Sequence, residues 1–279
     1  MSARIRWFRL RSISALLTAA IVGVLALDTT TLVAAPPATA SAAPAAASGG
    51  SGALGDPLLR LLWWSGYLWL VYPSDQRGPE PGVKLSDSQR AVFVDSRGRL
   101  HLHIYKENGV WRGAELRMLT PISYGQFQMV VDTAVGKLSK KVVLGMFVYH
   151  PGSKKLTNEI DIEDSHFPRL MTPKQNAQYV VQPYYARPQK THWRKFRINP
   201  RLPRVLQQFT WRPGRVDFLT RAGASPQSRL YNAFHYAGHL VPKAGLTYLY
   251  LNLWLNRNQP PRHGKHSVVI RSFHFSPVR

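Results

Sequence analysis

The stretch Glu159-Ile160-Asp161-Ile162-Glu163 alternates three carboxylic acids with two β-branched aliphatic residues. Strict alternation of this kind predicts a β-strand, in which side chains i, i+2 and i+4 project to one face. The three acids would therefore share one face of a sheet, while Ile160 and Ile162 point to the other. Only 14 of the 279 residues are acidic, and like charges on one face repel each other. This clustering indicates either a solvated strand edge or a site that uses carboxyl groups.

Several other segments have the composition of strands. They lie at 99–104, 125–131, 142–149, 178–181, 215–219, 248–254 and 267–273. Turn-forming sequences separate them, at 95–98, 108–109, 151–152 and 213–214. Short strands with many Gly and Pro residues between them predict an all-β fold, specifically a β-sandwich. One short helical turn is predicted at 58–63.

The N-terminal residues have the pattern of a secretion signal. Arg4, Arg6, Arg9 and Arg11 precede an uncharged apolar run at 13–27, and small residues suited to cleavage follow at 38–42. We therefore expect residues 1–42 to be a signal peptide, with an uncleaved signal-anchor as the alternative. Residues 43–55 are rich in Ala, Gly, Ser and Pro and predict a flexible linker. Residues 56–279 are expected to form one domain, located outside the cell, in the periplasm or in the cell envelope.

The chain is strongly basic, with 37 Lys and Arg residues and a formal net charge of +23. Such a charge attracts polyanions, and an acidic glycan or an anionic cell-envelope surface is the expected partner rather than nucleic acid. A generally basic surface suited to an acidic habitat is the alternative. The chain has no cysteine, which excludes disulfides and thiolate metal sites. The densest basic segment contains Arg187, Lys190, Arg194, Lys195, Arg197, Arg201 and Arg204.

The sequence around the three acids resembles that of glycoside hydrolase family 16, whose catalytic strand reads E-x-D-x-E. The resemblance continues on both sides and covers about residues 69–275. It rests on four further stretches: Ala114-Glu115-Leu116-Arg117 with Tyr124-Gly125-Gln126-Phe127 after it, Phe147-Val148-Tyr149, Trp211-Arg212-Pro213-Gly214-Arg215-Val216-Asp217-Phe218, and Leu251-Asn252-Leu253-Trp254.

The resemblance implies a jelly-roll sandwich of two curved antiparallel sheets with a concave glycan-binding cleft. It also implies a retaining, endo-acting hydrolysis of β-glucans or related galactans. Glu159 would be the nucleophile, Asp161 the assisting carboxylate and Glu163 the general acid/base. Residues 159 and 163 lie ~13 Å apart along a flat strand, whereas a retaining pair needs carboxyl groups about 5–5.5 Å apart. The strand is therefore expected to lie on the concave side of a bent sheet, where the two long Glu side chains can lean together.

Aromatic and amide side chains are the candidates for substrate contacts, because sugar rings stack on aromatic planes and amides bond sugar hydroxyls. The predicted substrate-binding residues are Trp111, Tyr124, Tyr149, Gln178, Tyr184 and Trp254.

The sequence contains two histidine pairs with plausible metal-ligand spacing, His235/His239 and His263/His266. No acidic or thiol ligand accompanies them, so neither a metal nor a cofactor is expected.

The sequence is also consistent with three alternatives to a hydrolase. One is a transglycosylase with the same carboxylates, and another is a catalytically silent glycan-binding protein on the same fold. The third is a basic protein that binds a polyanion or the cell envelope, which the net charge favours. We expect a monomer. The segment after Trp254 lacks the loop typical of β-glucan-specific members of the family, so the sequence does not specify the sugar.

Overall fold

The structure is a computed structural model, and it describes residues 59–73, 83–151, 158–167, 171–183, 192–259 and 266–278. These residues form two sheets, which we call the inner and the outer sheet, together with two short 3-10 helices at Val135–Lys137 and Asn256–Asn258. Within the described residues, no helix is long and apolar enough to cross a membrane.

The inner sheet contains ten strands. Eight of them lie in the order β1-β2-β7-β16-β9-β10-β11-β12, and β3 and β6 pair with β7. All neighbours in this sheet are antiparallel except the short parallel pair β3–β7. The strands are β1 (Arg60–Trp64), β2 (Tyr67–Val71), β3 (Lys84–Leu85), β6 (Tyr105–Glu107), β7 (Val110–Met118), β9 (Val142–Tyr149), β10 (Glu159–Ser165), β11 (Ala177–Val181), β12 (Trp193–Phe196) and β16 (Tyr248–Leu255).

The outer sheet contains seven antiparallel strands in the order β15-β14-β13-β8-β17-β5-β4. Strand β17 forms a bulge against β8 between Ile270 and Ser272, which re-aligns its long pairing with that strand. The strands are β4 (Val92–Val94), β5 (Leu100–His103), β8 (Gly125–Val131), β13 (Val205–Arg212), β14 (Arg215–Arg221), β15 (Leu230–Ala237) and β17 (Ser267–Pro277).

The core lies between the two sheets and is built from alternate residues of each strand. Its aromatic centre belongs mainly to the outer sheet, where Phe127 stacks on Phe209 at 4.6 Å between ring centroids. From the inner sheet, Tyr179 stacks on Phe218 at 5.0 Å. Ile160 and Ile162 of β10 are also in this core. The acids of β10 therefore project from the opposite face of the inner sheet.

Most strand predictions are confirmed, because they fall on segments where alternation matches burial. Strands β8 and β9 begin and end at the predicted residues, and the other predicted segments differ by a few residues at their ends. The predicted turns at 95–98, 108–109 and 213–214 each contain a Gly with positive φ. Gly152 of the turn at 151–152 is outside the described residues.

The predicted helical turn at 58–63 is wrong, because residues 60–63 belong to strand β1. Strand β1 pairs with β2 through a tight hairpin at Ser65 and Gly66, both of which have positive φ. Trp64 and Trp69 then pack at 5.7 Å between ring centroids. Pairing with a neighbouring strand, and not local preference, therefore decides the conformation of this segment.

Candidate active site

Strand β10 is central in the inner sheet and pairs without a register shift on both sides. Its partners in β9 run from Tyr149, opposite Glu159, to Val143, opposite Ser165. The strand therefore has no bulge, and Glu159, Asp161 and Glu163 project to one face as predicted. We call this side, which points away from the outer sheet, the carboxylate face. Glu159 and Glu163 are partly exposed there, and Asp161 is buried.

Residues directly opposite each other in an antiparallel sheet point to the same face, so the register defines rows of side chains across the carboxylate face. One row passes through each acid, and we name each row after it. The Glu159 row contains Tyr248, Tyr149 and Glu159. The Asp161 row contains Leu61, Leu70, Arg117, Tyr250, Phe147, Asp161, Val180 and Trp193. The Glu163 row contains Glu115, Asn252, Gly145, Glu163, Gln178 and Lys195.

Glu159 and Asp161 form a hydrogen-bonded carboxyl pair. Burial raises the pKa of Asp161 well above its usual value, and the charges of Glu159 and Glu163 raise it further. Burial also raises the pKa of Glu159, but the hydrogen bond from Asp161 opposes this rise. The hydrogen bond between the two groups thus raises the pKa of Asp161 and lowers that of Glu159, which favours Asp161 as the donor of the pair. Gln182 donates through Nε2 to Asp161 Oδ2 at 3.0 Å and orients this carboxyl group.

Glu163 is held from the other neighbouring strand. Gln178 lies directly opposite it in β11, and its Nε2 donates to Glu163 Oε2 at 2.5 Å. Gln178 itself is buried, so the amide is a fixed donor. A neutral donor orients the carboxyl group of Glu163 without adding a charge beside it. The two outer acids of β10 therefore differ, since Glu159 contacts a carboxyl group and Glu163 contacts an amide.

A fourth carboxyl group, that of Glu115, lies in the same row as Glu163. Asn252 donates through Nδ2 to Glu115 Oε2 at 3.0 Å. Burial raises the pKa of Glu115 to about 7, and the charge of Glu159 contributes to this rise while the Asn252 bond opposes it. Gly145 lies between Asn252 and Glu163, and a Cβ at this position would be 2.5 Å from Asn252 Oδ1. The glycine therefore leaves room for the Asn252 amide beside Glu163, and a larger residue would displace that amide.

The opposite face of β10 carries a further acid, Asp164, inside the sandwich. Asp164 is buried, and Gln207 of the outer sheet donates through Nε2 to its Oδ1 at 2.8 Å. Burial raises the pKa of Asp164 to about 7. Asp164 Oδ2 and Gln207 Oε1 have no partner among the described residues. A proton on Asp164 supplies a donor that the carboxylate lacks, so the neutral form is the one that suits this amide.

Two of the predicted substrate-binding residues lie beside the acids, and a third lies on the same face. Tyr149 is directly opposite Glu159, and Gln178 is bonded to Glu163. Trp254 is on the carboxylate face two residues after Asn252, but its side chain is only 5% exposed because it packs with Val83 and other apolar residues. The structure therefore places Trp254 under the surface, with little ring area for a sugar.

The structure does not bring Tyr124 or Trp111 into the three rows. Tyr124 precedes β8 of the outer sheet and packs edge-on against Trp211 at 4.9 Å between ring centroids. Its hydroxyl group accepts a hydrogen bond from the backbone N–H of Ala244. Trp111 lies at the start of β7, opposite Lys106, and is partly buried against the core. Tyr184 lies outside the described residues.

The structure also brings to the acids several residues to which the sequence analysis assigned no role. Gln182 could have been found by counting along β11, since it follows Gln178 by four residues and must face the same side. Glu115 and Asn252 were noticed only as parts of family-like stretches. Phe147 and Tyr250 also stack in the Asp161 row, with 5.0 Å between their ring centroids. This contact depends on the pairing of β9 with β16, for which local sequence carries no signal.

The described surface acids outside the inner sheet are surrounded by cations. Asp132 binds both Arg204 and Arg271, and Asp217 binds Arg212, Arg215 and His235. By contrast, Arg194, Arg197 and Arg201 of the basic segment are exposed. The described histidines and acids form no cluster of three or more that could hold a metal ion. Positive charge thus dominates the surface, while carboxyl groups concentrate around β10.

Comparison with known proteins identifies the fold. No family model and no curated protein matches the sequence. Among solved structures, the chain is similar to a beta-glucanase of Bacillus licheniformis, with 16% identity, a TM-score of 0.55 and coverage of 76% of this chain and 92% of that one. It is also similar to a beta-1,3-glucanase of Mycobacterium marinum, with 14% identity, a TM-score of 0.54 and coverage of 75% and 90%.

A third similar structure is a family 16 glycosyl hydrolase protein of Mycobacterium smegmatis, with 14% identity, a TM-score of 0.52 and coverage of 75% of this chain and 91% of that one. These likenesses define the class of fold, a jelly-roll β-sandwich of two antiparallel sheets. The predicted fold class is therefore confirmed, and the chain has the fold seen in family 16 glycoside hydrolases.

Proposed function

We propose that the protein is a retaining endo-glycosidase that hydrolyses O-glycosidic bonds within a β-linked polysaccharide. The observation that carries the proposal is the arrangement on β10. Three acids share one face of an unbulged central strand, and each outer acid has a different hydrogen-bond partner. Glycoside hydrolysis needs two carboxyl groups with different tasks, and different surroundings are what separate their roles.

In the first step of the proposed mechanism, Glu159 attacks the anomeric carbon and Glu163 protonates the departing glycosidic oxygen. Asp161 supports the attack in two ways. The hydrogen bond that Asp161 donates keeps the Glu159 carboxylate ionised and oriented before the reaction. Because Asp161 is neutral in this mechanism, the strand also avoids three adjacent negative charges. The product of this step is a glycosyl ester on Glu159, and the leaving chain carries the proton from Glu163.

In the second step, water cleaves the ester. Glu163 is now a carboxylate and accepts a proton from the attacking water, while Glu159 leaves as the carboxylate and retrieves its hydrogen bond from Asp161. The anomeric configuration is retained because inversion occurs twice. Gln178 holds the carboxyl group of Glu163 in one orientation through both steps.

The similar structures support the choice of a polysaccharide as substrate, because two of them are described as a beta-glucanase and a beta-1,3-glucanase. The carboxylate face offers the partly exposed rings of Tyr149 and Tyr248 beside the acids, and apolar ring faces are what sugars stack on. Tyr149 and Gln178 are the contacts we propose nearest to the bond that is cleaved.

The experiment that tests this function is a reducing-sugar assay of the purified protein on a panel of β-glucans and β-galactans, with analysis of the products. Release of internal fragments with retained anomeric configuration is the expected result. Products longer than the substrate would assign the protein as a transglycosylase instead. Binding without any turnover would reject the enzyme and favour the glycan-binding alternative.

A second candidate function is polyanion binding, which the exposed cations of the basic segment favour. Binding of this kind falls steeply as salt rises, because counterions compete for the same charges. A salt titration of binding to heparin measures it directly. This function is compatible with hydrolysis.

Substituting Gly145 with alanine is expected to lower kcat/KM about tenfold, because the new Cβ displaces Asn252 from Glu115. Asn252→Ala should give a similar loss, and the double variant should lose little more, since both changes remove the same arrangement. The measurement is a double-mutant cycle on the preferred polysaccharide, with thermal unfolding as the control for folding. Fully additive losses would contradict a shared cause.

We also propose that residues 1–42 direct export, that 43–55 form a linker and that 56–279 form a single catalytic domain acting as a monomer outside the cytoplasm. The supporting features are the four arginines, the apolar run and the small residues near position 40. N-terminal analysis of the mature protein tests the proposal, and an N-terminus that retains the apolar run would favour the signal-anchor.

A further inference from the structure

Strand β12 forms one end of the inner sheet and continues two of the rows that contain the acids. Its Trp193 lies directly opposite Val180, and its Lys195 lies directly opposite Gln178. Since directly opposed residues share a face, Trp193 extends the Asp161 row and Lys195 extends the Glu163 row. Both side chains therefore belong to the carboxylate face and not to the core.

The two side chains of β12 also contact each other. Lys195 Nζ lies 4.3 Å from the centroid of the Trp193 ring, which is a cation–π distance. Both residues are partly exposed. Strand β12 is two strand spacings, or ~10 Å, from β10, a distance on the order of one or two sugar rings. A polysaccharide that crosses the strands at the acids would thus reach Trp193 and Lys195.

The chemistry at β12 differs from that at the other side of the acids. On that side, strand β7 contributes the acid Glu115 to the Glu163 row and the cation Arg117 to the Asp161 row. The Arg117 guanidinium lies 4.5 Å from the centroid of the Tyr248 ring. Strand β12 contributes the cation Lys195 and no acid to the carboxylate face, while its exposed Arg194 alternates to the other face. An anionic group on a glycan is therefore favoured at the β12 end more than at the β7 end.

We propose that Trp193 and Lys195 form a subsite for an acidic sugar residue of the polysaccharide, one that carries a carboxylate or a sulfate ester. The Trp193 ring takes the C–H face of the sugar, and the Lys195 ammonium group takes its anion. This inference rests on the proposed glycosidase function, and it specifies the substrate as an acidic β-linked polysaccharide. It also gives part of the chain's positive charge a role in substrate binding.

The test uses the full chain with the substitution Glu159→Gln, which prevents turnover during binding. Three probes are compared by calorimetry: a β-linked oligosaccharide that contains glucuronic acid, its carboxyl-reduced neutral counterpart, and a sulfated β-galacto-oligosaccharide. We expect at least one acidic probe to bind about tenfold more tightly than the neutral one, with a preference that weakens at high salt. The preferred acidic probe identifies the anion as carboxylate or sulfate.

Two substitutions separate the roles of the pair. Lys195→Met should remove most of the preference for the acidic probe and leave binding of the neutral probe unchanged, whereas Trp193→Ala should weaken acidic and neutral probes alike. Lys106→Met, at an exposed lysine of β6, is the matched control and should change neither. Equal binding of all three probes, or a preference that survives Lys195→Met, would overturn the subsite.

The same variants separate the failure of the subsite from the failure of the proposed function. Turnover is measured with the wild-type acid Glu159 in place, on the neutral and acidic polymers. Cleavage of both polymers with no effect of Lys195→Met would reject the subsite and keep the glycosidase. Lys195-dependent binding with no cleavage of either polymer would keep the subsite and reject the glycosidase.

Discussion

Substituting either Glu159 or Glu163 with alanine is expected to reduce polysaccharide turnover by at least about 10³-fold while the protein remains folded. The reason differs for the two residues. Without Glu159 there is no group to form the glycosyl ester, and without Glu163 neither the leaving oxygen nor the water exchanges its proton with a positioned acid. Both side chains are partly exposed on one face of β10, so their removal creates no cavity in the core.

A substrate with a good leaving group separates the two roles. An aryl glycoside whose phenol leaves without protonation should still react rapidly with Glu163→Ala in the first step, giving a burst of phenol followed by slow release of sugar. Glu159→Ala should give no burst. The measurement is stopped-flow release of the phenol, with circular dichroism to verify folding. Near wild-type turnover in either variant, or a burst in Glu159→Ala, would show that the roles are assigned wrongly.

The second large effect concerns stability, at Asp164 inside the sandwich. Burial raises the pKa of this acid from 3.8 to about 7 in the folded protein. Its folded-state pKa therefore exceeds the unfolded one, and the folded protein holds a proton that the unfolded chain releases. The contribution of Asp164 to the free energy of unfolding of the wild type is therefore largest at low pH. It is lost as the pH rises from 3.8 to about 7.

Asp164→Asn removes this dependence, because the amide is neutral at every pH and can bond both polar atoms of Gln207. We expect the free energy of unfolding of the variant, relative to wild type, to rise by up to about 4 kcal/mol as the pH increases through this range. Urea unfolding at a series of pH values measures the difference. Turnover should be largely retained, since Asp164 points away from the carboxylate face.

Asp217→Asn is the matched control on the outer sheet. Partial burial alone would raise the pKa of Asp217, but hydrogen bonds from Arg215 and His235 outweigh it and leave the pKa lowered. The pH dependence of this control should therefore have the opposite sign and a smaller size, because the pair is exposed to solvent. A difference between Asp164→Asn and wild type that does not change with pH would mean that Asp164 is ionised in the folded protein.

The extent to which sequence predicted the fold differs along the chain. At 125–131 and 142–149 the residues themselves carry the information, because alternation or a long apolar run matches what the sheet buries. Strand β1 was missed because Leu61 and Trp63 are apolar yet exposed, at 49% and 68%. Its conformation depends on pairing with β2, which is an interaction between segments and not a property of either one.

The candidate site shows the same division. The acids of β10 were predictable, because a strand of period two must place them on one face. Gln178 and Tyr149 were predicted on weaker grounds and lie directly beside them. The burial of Trp254 could not be predicted, because Val83 and Phe167, which cover it, are distant in sequence. The roles of all these residues stay predictions until turnover is measured.

Local sequence is enough to predict an all-β protein in which Glu159, Asp161 and Glu163 share a face, because side-chain alternation is a local property of an extended strand. The residues that accompany those acids follow instead from the pairing of the strands. Neighbouring strands come from segments as distant as 115, 145, 178 and 252, and their register sets which side chains meet. That register gives Glu163 its amide donor, Gln178, and places a tryptophan and a lysine at the far end of the same rows.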